Sequence, residues 1–161
     1  MQGLNLPFDV LMKANEMGVR LEVVDGLPVW EMSPSYAHQK AILKIQTELI
    51  QSLAKNKQTG CKCVHISDVY IRFSDGSIRR PDIAIFCREP DVAEQNEAIT
   101  LIPEAVVEII SPGYEKKDLT IGQAFYHDPR DGMVWHITKA GHKILSSPVT
   151  LTMQCGCEVS I

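Results

Sequence analysis

Glu108 stands inside an otherwise apolar run, Ala105-Val-Val-Glu-Ile-Ile110. Such a run reads as a buried strand, and an ionised carboxylate buried without a partner costs many kcal/mol. It therefore calls for a cation, a metal or a shared proton. Asp82 poses the same question, wedged between Pro81 and the apolar stretch Ile83-Ala-Ile-Phe-Cys87. Neighbouring strands lie ~4.8 Å apart, so one acid on each could grip a single ion between them. Divalent-metal hydrolysis needs such converging oxygens: magnesium takes few protein carboxylates and keeps several waters. A metal held there would polarise a phosphoryl oxygen and lower the pKa of a bound water. A lysine nearby would steady the developing negative charge. The competing reading is a structural ion pair, with Arg79 or Arg80 neutralising one of the acids. The same two arginines could instead contact phosphate.

The elements that must carry these acids follow from periodicity and turn signals. Phe8 to Met17 suits a short helix, with Gly18 as its stop. Val19 to Val24 alternates and meets Asp25-Gly26, a hairpin signal, and Leu27 to Met32 returns. Ser33-Pro34 reads as an N-cap with proline at the first helical position. The helix after it runs to about Lys55, with a mostly apolar stripe from Ile42 to Leu53. Cys61 to Phe73 and Ile78 to Cys87 are expected as paired strands about Asp75-Gly76. Arg88 to Thr100 is polar loop with room for one helical turn. Tyr114 to His127 is expected as a helix weakened by Gly122. Met133 to Thr138 and Lys143 to Leu145 form a late hairpin at Ala140-Gly141, and Pro148 to Ile161 is strand-like. The sum is an α/β fold with a mixed central β-sheet flanked by helices, in a single domain over residues 1–161.

The chain has 161 residues, 16 basic and 20 acidic side chains and a formal net charge of −4. That excludes a strongly basic protein held on nucleic acid by bulk charge. No run approaches the ~18 apolar residues of a membrane span, and the N-terminus lacks a signal-peptide pattern. A cytoplasmic protein is expected. The cysteines number five, four of them as Cys61/Cys63 and Cys155/Cys157. Residues two apart on a strand share a face, so the two pairs could meet as a four-thiolate zinc site. The spacing departs from the usual one for zinc, and reduced structural thiols are the plainer expectation. Cys87 is expected in the core.

An ordered set of residues resembles a known family. It comprises Leu21-Glu22-x-x-Asp25-Gly26, Met32-Ser-Pro-Ser35, His38, Pro81-Asp82, Pro103, Val107-Glu108-Ile-Ile-Ser111-Pro112, Asp118, Tyr126 and Trp135. This is similar to the Uma-two family of bacterial endonucleases, within the restriction-endonuclease-like, PD-(D/E)xK, superfamily. The resemblance covers about residues 20 to 138. It implies a restriction-endonuclease-like core and hydrolysis of phosphodiester bonds in DNA. It also implies Mg²⁺ or Mn²⁺ held by Asp82, Glu108 and the backbone carbonyl of Ile109. His38 and Glu22 match the family's histidine and first-strand acid. His38 would position water or metal, or else cap the helix locally; Glu22 would support the metal site, or else lie exposed on its strand. The motif lysine would fall at position 110, which is isoleucine. The family supplies it from the following helix, at a position that is Gly122 here. Gln123 is adjacent, and Lys116 and Lys117 stand at the expected helix start, where a solvated charge pair is the ordinary reading. The departure keeps a second reading open, a nuclease fold that binds nucleic acid or a partner protein and cuts weakly or not at all. Cutting both strands of a duplex calls for two sites, so a homodimer is expected.

Overall fold

A computed structural model describes residues 6–31, 33–56, 60–111 and 123–161. The chain forms two compact units. One comprises Met1–Pro34, Val69–Arg80 and Pro90–Ile102; the other comprises Ser35–Asp68, Pro81–Glu89 and Pro103–Ile161.

The first unit opens with helix α1 (Phe8–Glu16), which stops where Gly18 takes a φ of 77°. Such a left-handed residue ends many helices because it turns the chain while satisfying the last carbonyls. Strands β1 (Leu21–Val24) and β2 (Leu27–Trp30) follow as a hairpin. Asp25 and Gly26 both have positive φ at its tip, as a two-residue turn of this hand demands. Two short strands, β4 (Ile71–Arg72) and β5 (Ile78–Arg79), complete a sheet in the order β2-β1-β5-β4. Leu11, Val23, Tyr70, Ile78 and Ala98 form its core, and Phe8 meets Tyr70 edge-on at 5.6 Å. A single 3₁₀ turn, Val92–Glu94, interrupts the polar loop.

The second unit holds a six-stranded sheet. Its strands are β3 (Val64–Ser67), β6 (Ile83–Phe86), β7 (Ala105–Ile109), β8 (Gln123–His127), β9 (Met133–Thr138) and β10 (Gly141–Ser146). The order is β10-β9-β8-β7-β6-β3. Every pair is antiparallel except β7 with β8. Helix α2 (Tyr36–Asn56) packs Ala41, Ile42, Ile45 and Leu49 into a core with Ile83, Ile85, Val107, Ile109 and Phe125. A terminal hairpin, β11 (Thr150–Thr152) with β12 (Glu158–Ser160), adds Leu151, Met153, Val159 and Ile161 to the same core. Ser52 of α2 accepts the Ser160 N–H at 3.1 Å, tying helix to hairpin.

Three expectations are corrected. The hairpin expected about Asp75-Gly76 divides between the two sheets: β4 pairs with β5 in one, and β3 pairs with β6 in the other. The break falls at Asp68, whose φ of 63° cannot continue a strand. Of the helix expected over 114–127, residues 114–122 lie outside the described residues, and the last five, 123–127, form a strand, β8, instead. Phe125 and Tyr126 point to opposite faces and both are buried, which suits a strand between two others better than a helix. Finally, the cysteines are not all reduced thiols, because Cys61 and Cys157 form a disulfide. Cys63, Cys87 and Cys155 are free, and Cys87, half-buried, packs against the main core as expected.

Candidate active site

Asp82 and Glu108 are neighbours because of strand register. Ile83 of β6 lies opposite Val107 of β7, so the next pair along an antiparallel ladder is Asp82 with Glu108. Val107 and Ile109 point into the α2-packed core, and strand alternation sets Glu108 on the opposite face. Glu108 is 1% exposed, at the middle of the sheet; Asp82, just ahead of β6, is partly open, with 19% of its side chain accessible.

The two acids are cross-tied through backbone. Glu108 Oε2 accepts the Asp82 N–H at 3.4 Å, and Asp82 Oδ2 accepts the Ile109 N–H at 2.7 Å. Asp82 Oδ2 also lies 3.2 Å from His38 Nε2. His38 reaches it from the first turn of α2, where its own N–H donates to Ser35 Oγ at 3.2 Å and Gln39 N–H donates to the Ser35 carbonyl. Ser35 is thus the N-cap, two residues later than Ser33. The cap fixes the helix start, and the helix start aims the imidazole. His38 thus joins the cap through its backbone N–H and turns its ring to Asp82.

Glu22 belongs to the first unit. It is 1% exposed, not solvated, and its Oε1 accepts the Arg80 N–H at 2.5 Å. The Arg80 side chain is engaged in the same unit: its guanidinium sits 5.1 Å from the Tyr70 ring centroid, and Nη1 donates to Asn15 Oδ1 at 2.9 Å. Burial raises the Tyr70 pKa, with Arg80 pulling it back. Gln123 opens β8 rather than lying in a helix. Lys116, Lys117 and Gly122 lie outside the described residues.

Two residues near β7 escaped sequence reasoning. His127, beside Ile109 in the β7–β8 register, is buried, with its backbone carbonyl accepting the Ile110 N–H at 2.9 Å. Burial lowers its pKa, and the charge of Lys44 on α2 lowers it further. The ring is therefore a neutral core group on the α2 side, away from Glu108. Asp128 follows it, buried and held by Arg130 through Nε at 2.8 Å and Nη2 at 2.5 Å. Those bonds bring its pKa to about 2 against the upward push of burial. Neither residue carried a sequence signal beyond its type.

The donor set suits a hard divalent cation. Two carboxylates at adjacent register positions, one of them deeply buried, match what magnesium or manganese takes from protein. Among the described residues, no group of three His, Cys, Asp or Glu ligand atoms lying within 4.8 Å of one another includes either acid.

Comparison with known proteins agrees with this fold. The model of a family described as "Uma2: Putative restriction endonuclease" matches residues 6–145. A crystal structure of a putative nuclease belonging to DUF820, from Anabaena variabilis ATCC 29413, matches with a TM-score of 0.66 at 17% identity. The match covers 94% of this chain and 91% of that one. No curated protein matches the chain.

Proposed function

The chain belongs to the Uma2 family, and from that premise we propose that it is a metal-dependent endonuclease hydrolysing phosphodiester bonds in DNA. The observation that carries this reading is the cross-tied pair, Asp82 and Glu108, with a buried carboxylate at the centre of the sheet. Mg²⁺ or Mn²⁺ would be held by Asp82, Glu108 and the Ile109 carbonyl. When bound, the ion supplies charge to a phosphoryl oxygen and acidity to a coordinated water.

The protein's own residues supply the positioning. The Ile109 N–H and the His38 ring fix the Asp82 carboxylate, so little motion is left to be lost when it takes up a ligand. The Asp82 N–H does the same for Glu108. His38 acts as a positioning residue through Asp82, and Glu22 supports the Arg80 backbone one residue ahead of Pro81-Asp82. Lys116 and Gln123 are the candidates for the cationic or polar group that steadies the leaving charge.

A competing reading is a domain that binds nucleic acid or a protein without cutting; Gly122, where the family resemblance places the lysine, favours it. Incubation with supercoiled plasmid in Mg²⁺ or Mn²⁺, beside an Asp82→Ala control, separates the two. Cleavage by the parent alone supports the endonuclease. Absence of cleavage with Mn²⁺ still bound in an Asp82-dependent way supports the binding domain. Cleavage by both proteins removes Asp82 from the reaction. A dimer is the expected working form, checked by sedimentation. No helix among the described residues is long and apolar enough to cross a membrane.

A further inference from the structure

All five cysteines meet at one place in the second unit, although they come from three distant segments. Cys61 and Cys63 precede β3, Cys87 follows β6, and Cys155 and Cys157 lie in the turn from β11 to β12. Cys155 Sγ is 2.7 Å from Cys87 Sγ and 3.2 Å from Cys63 Sγ. The sulfurs of Cys63, Cys87 and Cys155 lie within 4.8 Å of one another, and so do those of Cys61, Cys63 and Cys157. Cys63 belongs to both sets and is buried, whereas Cys155 is exposed, leaving the cluster open to solvent on one side.

We propose that this cluster is a thiolate site for a soft divalent cation, zinc in particular. Cys63, Cys87 and Cys155 supply three ligands, and Cys61 or Cys157 supplies the fourth when their disulfide is reduced. Three observations support it. Pairwise oxidation cannot use five cysteines, and Cys155 stands between two thiols of which a disulfide could take only one. A metal takes both. Zinc binds thiolates at ~2.3 Å in a tetrahedron, which spaces the sulfurs by ~3.8 Å, so the cluster needs only a small expansion to accept it. The cluster also gathers at the turn of the β11–β12 hairpin, whose strands pair only with each other among the described residues, so a metal there would join that turn to the segments that carry Cys63 and Cys87. Nearby, Glu104 accepts the Gln154 N–H at 2.9 Å, a charged anchor beside the turn.

The oxidised and metal-bound states exclude each other at the fourth ligand. A dithiol reductant transfers two electrons and two protons to the Cys61–Cys157 bond, becoming a disulfide itself and leaving two thiols. Zinc binding then releases protons from the thiols that ligate it. The candidate nuclease site shares no residue with this cluster, so the two stand or fall separately.

The full chain, purified under a dithiol reductant and without chelator, should carry about one zinc per chain by atomic emission. Replacement with Co²⁺ should give intense thiolate-to-cobalt charge transfer in the near ultraviolet and the visible bands of a tetrahedral ion. Cys155→Ser removes a solvent-facing ligand, and Cys87→Ser a half-buried one. Each should weaken Co²⁺ binding at least tenfold, while circular dichroism shows the fold retained. Less than a tenth of an equivalent of zinc, with no charge-transfer band on adding Co²⁺ to the reduced parent protein, overturns the proposal. So does full zinc occupancy in a Cys63→Ser/Cys155→Ser double variant.

Discussion

Glu108 reaches from β7 to the backbone of Asp82, its Oε2 accepting the Asp82 N–H at 3.4 Å. The bond places a buried acid and a partly open one at a single point of the sheet, the first oriented by the backbone of the second. Replacing either carboxylate by its amide keeps the shape and removes the charge. Asp82→Asn and Glu108→Gln should each reduce DNA cleavage at least ~100-fold, as loss of a main electrostatic group in an active site does. The measurement is single-turnover cleavage of a labelled duplex in Mg²⁺. Either variant cutting within threefold of the parent would remove that acid from the site.

His38 touches Asp82 through its ring, so its loss should be felt as looser metal binding. His38→Ala should weaken Mn²⁺ affinity by roughly 10–100-fold, the usual effect of removing a group that orients a metal ligand. His38→Gln, able to donate to the same oxygen, should recover part of it. Titration calorimetry reads both, and equal affinity in the alanine variant would confine His38 to its place in the helix.

Metal binding to the folded state alone must also raise its stability. At an ion concentration ~100 times the dissociation constant, the gain is about 2.7 kcal/mol. Thermal melts with and without Mn²⁺ should show a shift that Asp82→Asn abolishes. A shift unchanged in that variant would assign the ion elsewhere.

Asp128 gives an acid-stability signature independent of the site. Its carboxyl pKa falls from 3.8 to about 2 in the folded protein, chiefly through its hydrogen bonds with Arg130. A depressed carboxylate pKa stabilises the fold above the unfolded-state value, and that contribution disappears as pH falls through the folded-state value. Asp128→Asn should therefore melt below the parent at pH 7. The gap should narrow between pH 4 and pH 2. A gap independent of pH would show that the side chain acts by packing.

Leu49, fully buried where α2 meets the sheet, tests the core. Leu49→Ala should cost about 2–5 kcal/mol, read as a lower urea midpoint with unchanged slope.

Several features were legible from residue types alone. The run around Glu108 marks a central strand because its β-branched and small apolar residues suit a strand covered on both faces. Asp25-Gly26 and Asp75-Gly76 mark turns because both glycines have positive φ. The stripe from Ile42 to Leu53 marks α2, whose inward face is Ala41, Ile42, Ile45 and Leu49. The rest depended on long-range partners. Gln123-Ala-Phe-Tyr-His127 has no period of its own that separates helix from strand; pairing with β7 and β9 decides it. The division of one long hairpin between two sheets rests on the left-handed backbone of Asp68, a residue that tolerates that conformation without requiring it. The N-cap moved from Ser33 to Ser35 because a second serine stood two residues on. The convergence of the cysteines joins positions up to 96 residues apart, a separation over which local sequence carries no information.

The Cys61–Cys157 bond closes a ring over 96 residues of sequence separation. Asp82 and Glu108 both lie inside that ring. While the bond is intact, a protease cut anywhere between the two cysteines opens the circle without releasing a piece. A nicked molecule would then run at full mass on a denaturing gel and split in two only after reduction. The two acids would part company only where the cut fell between Asp82 and Glu108.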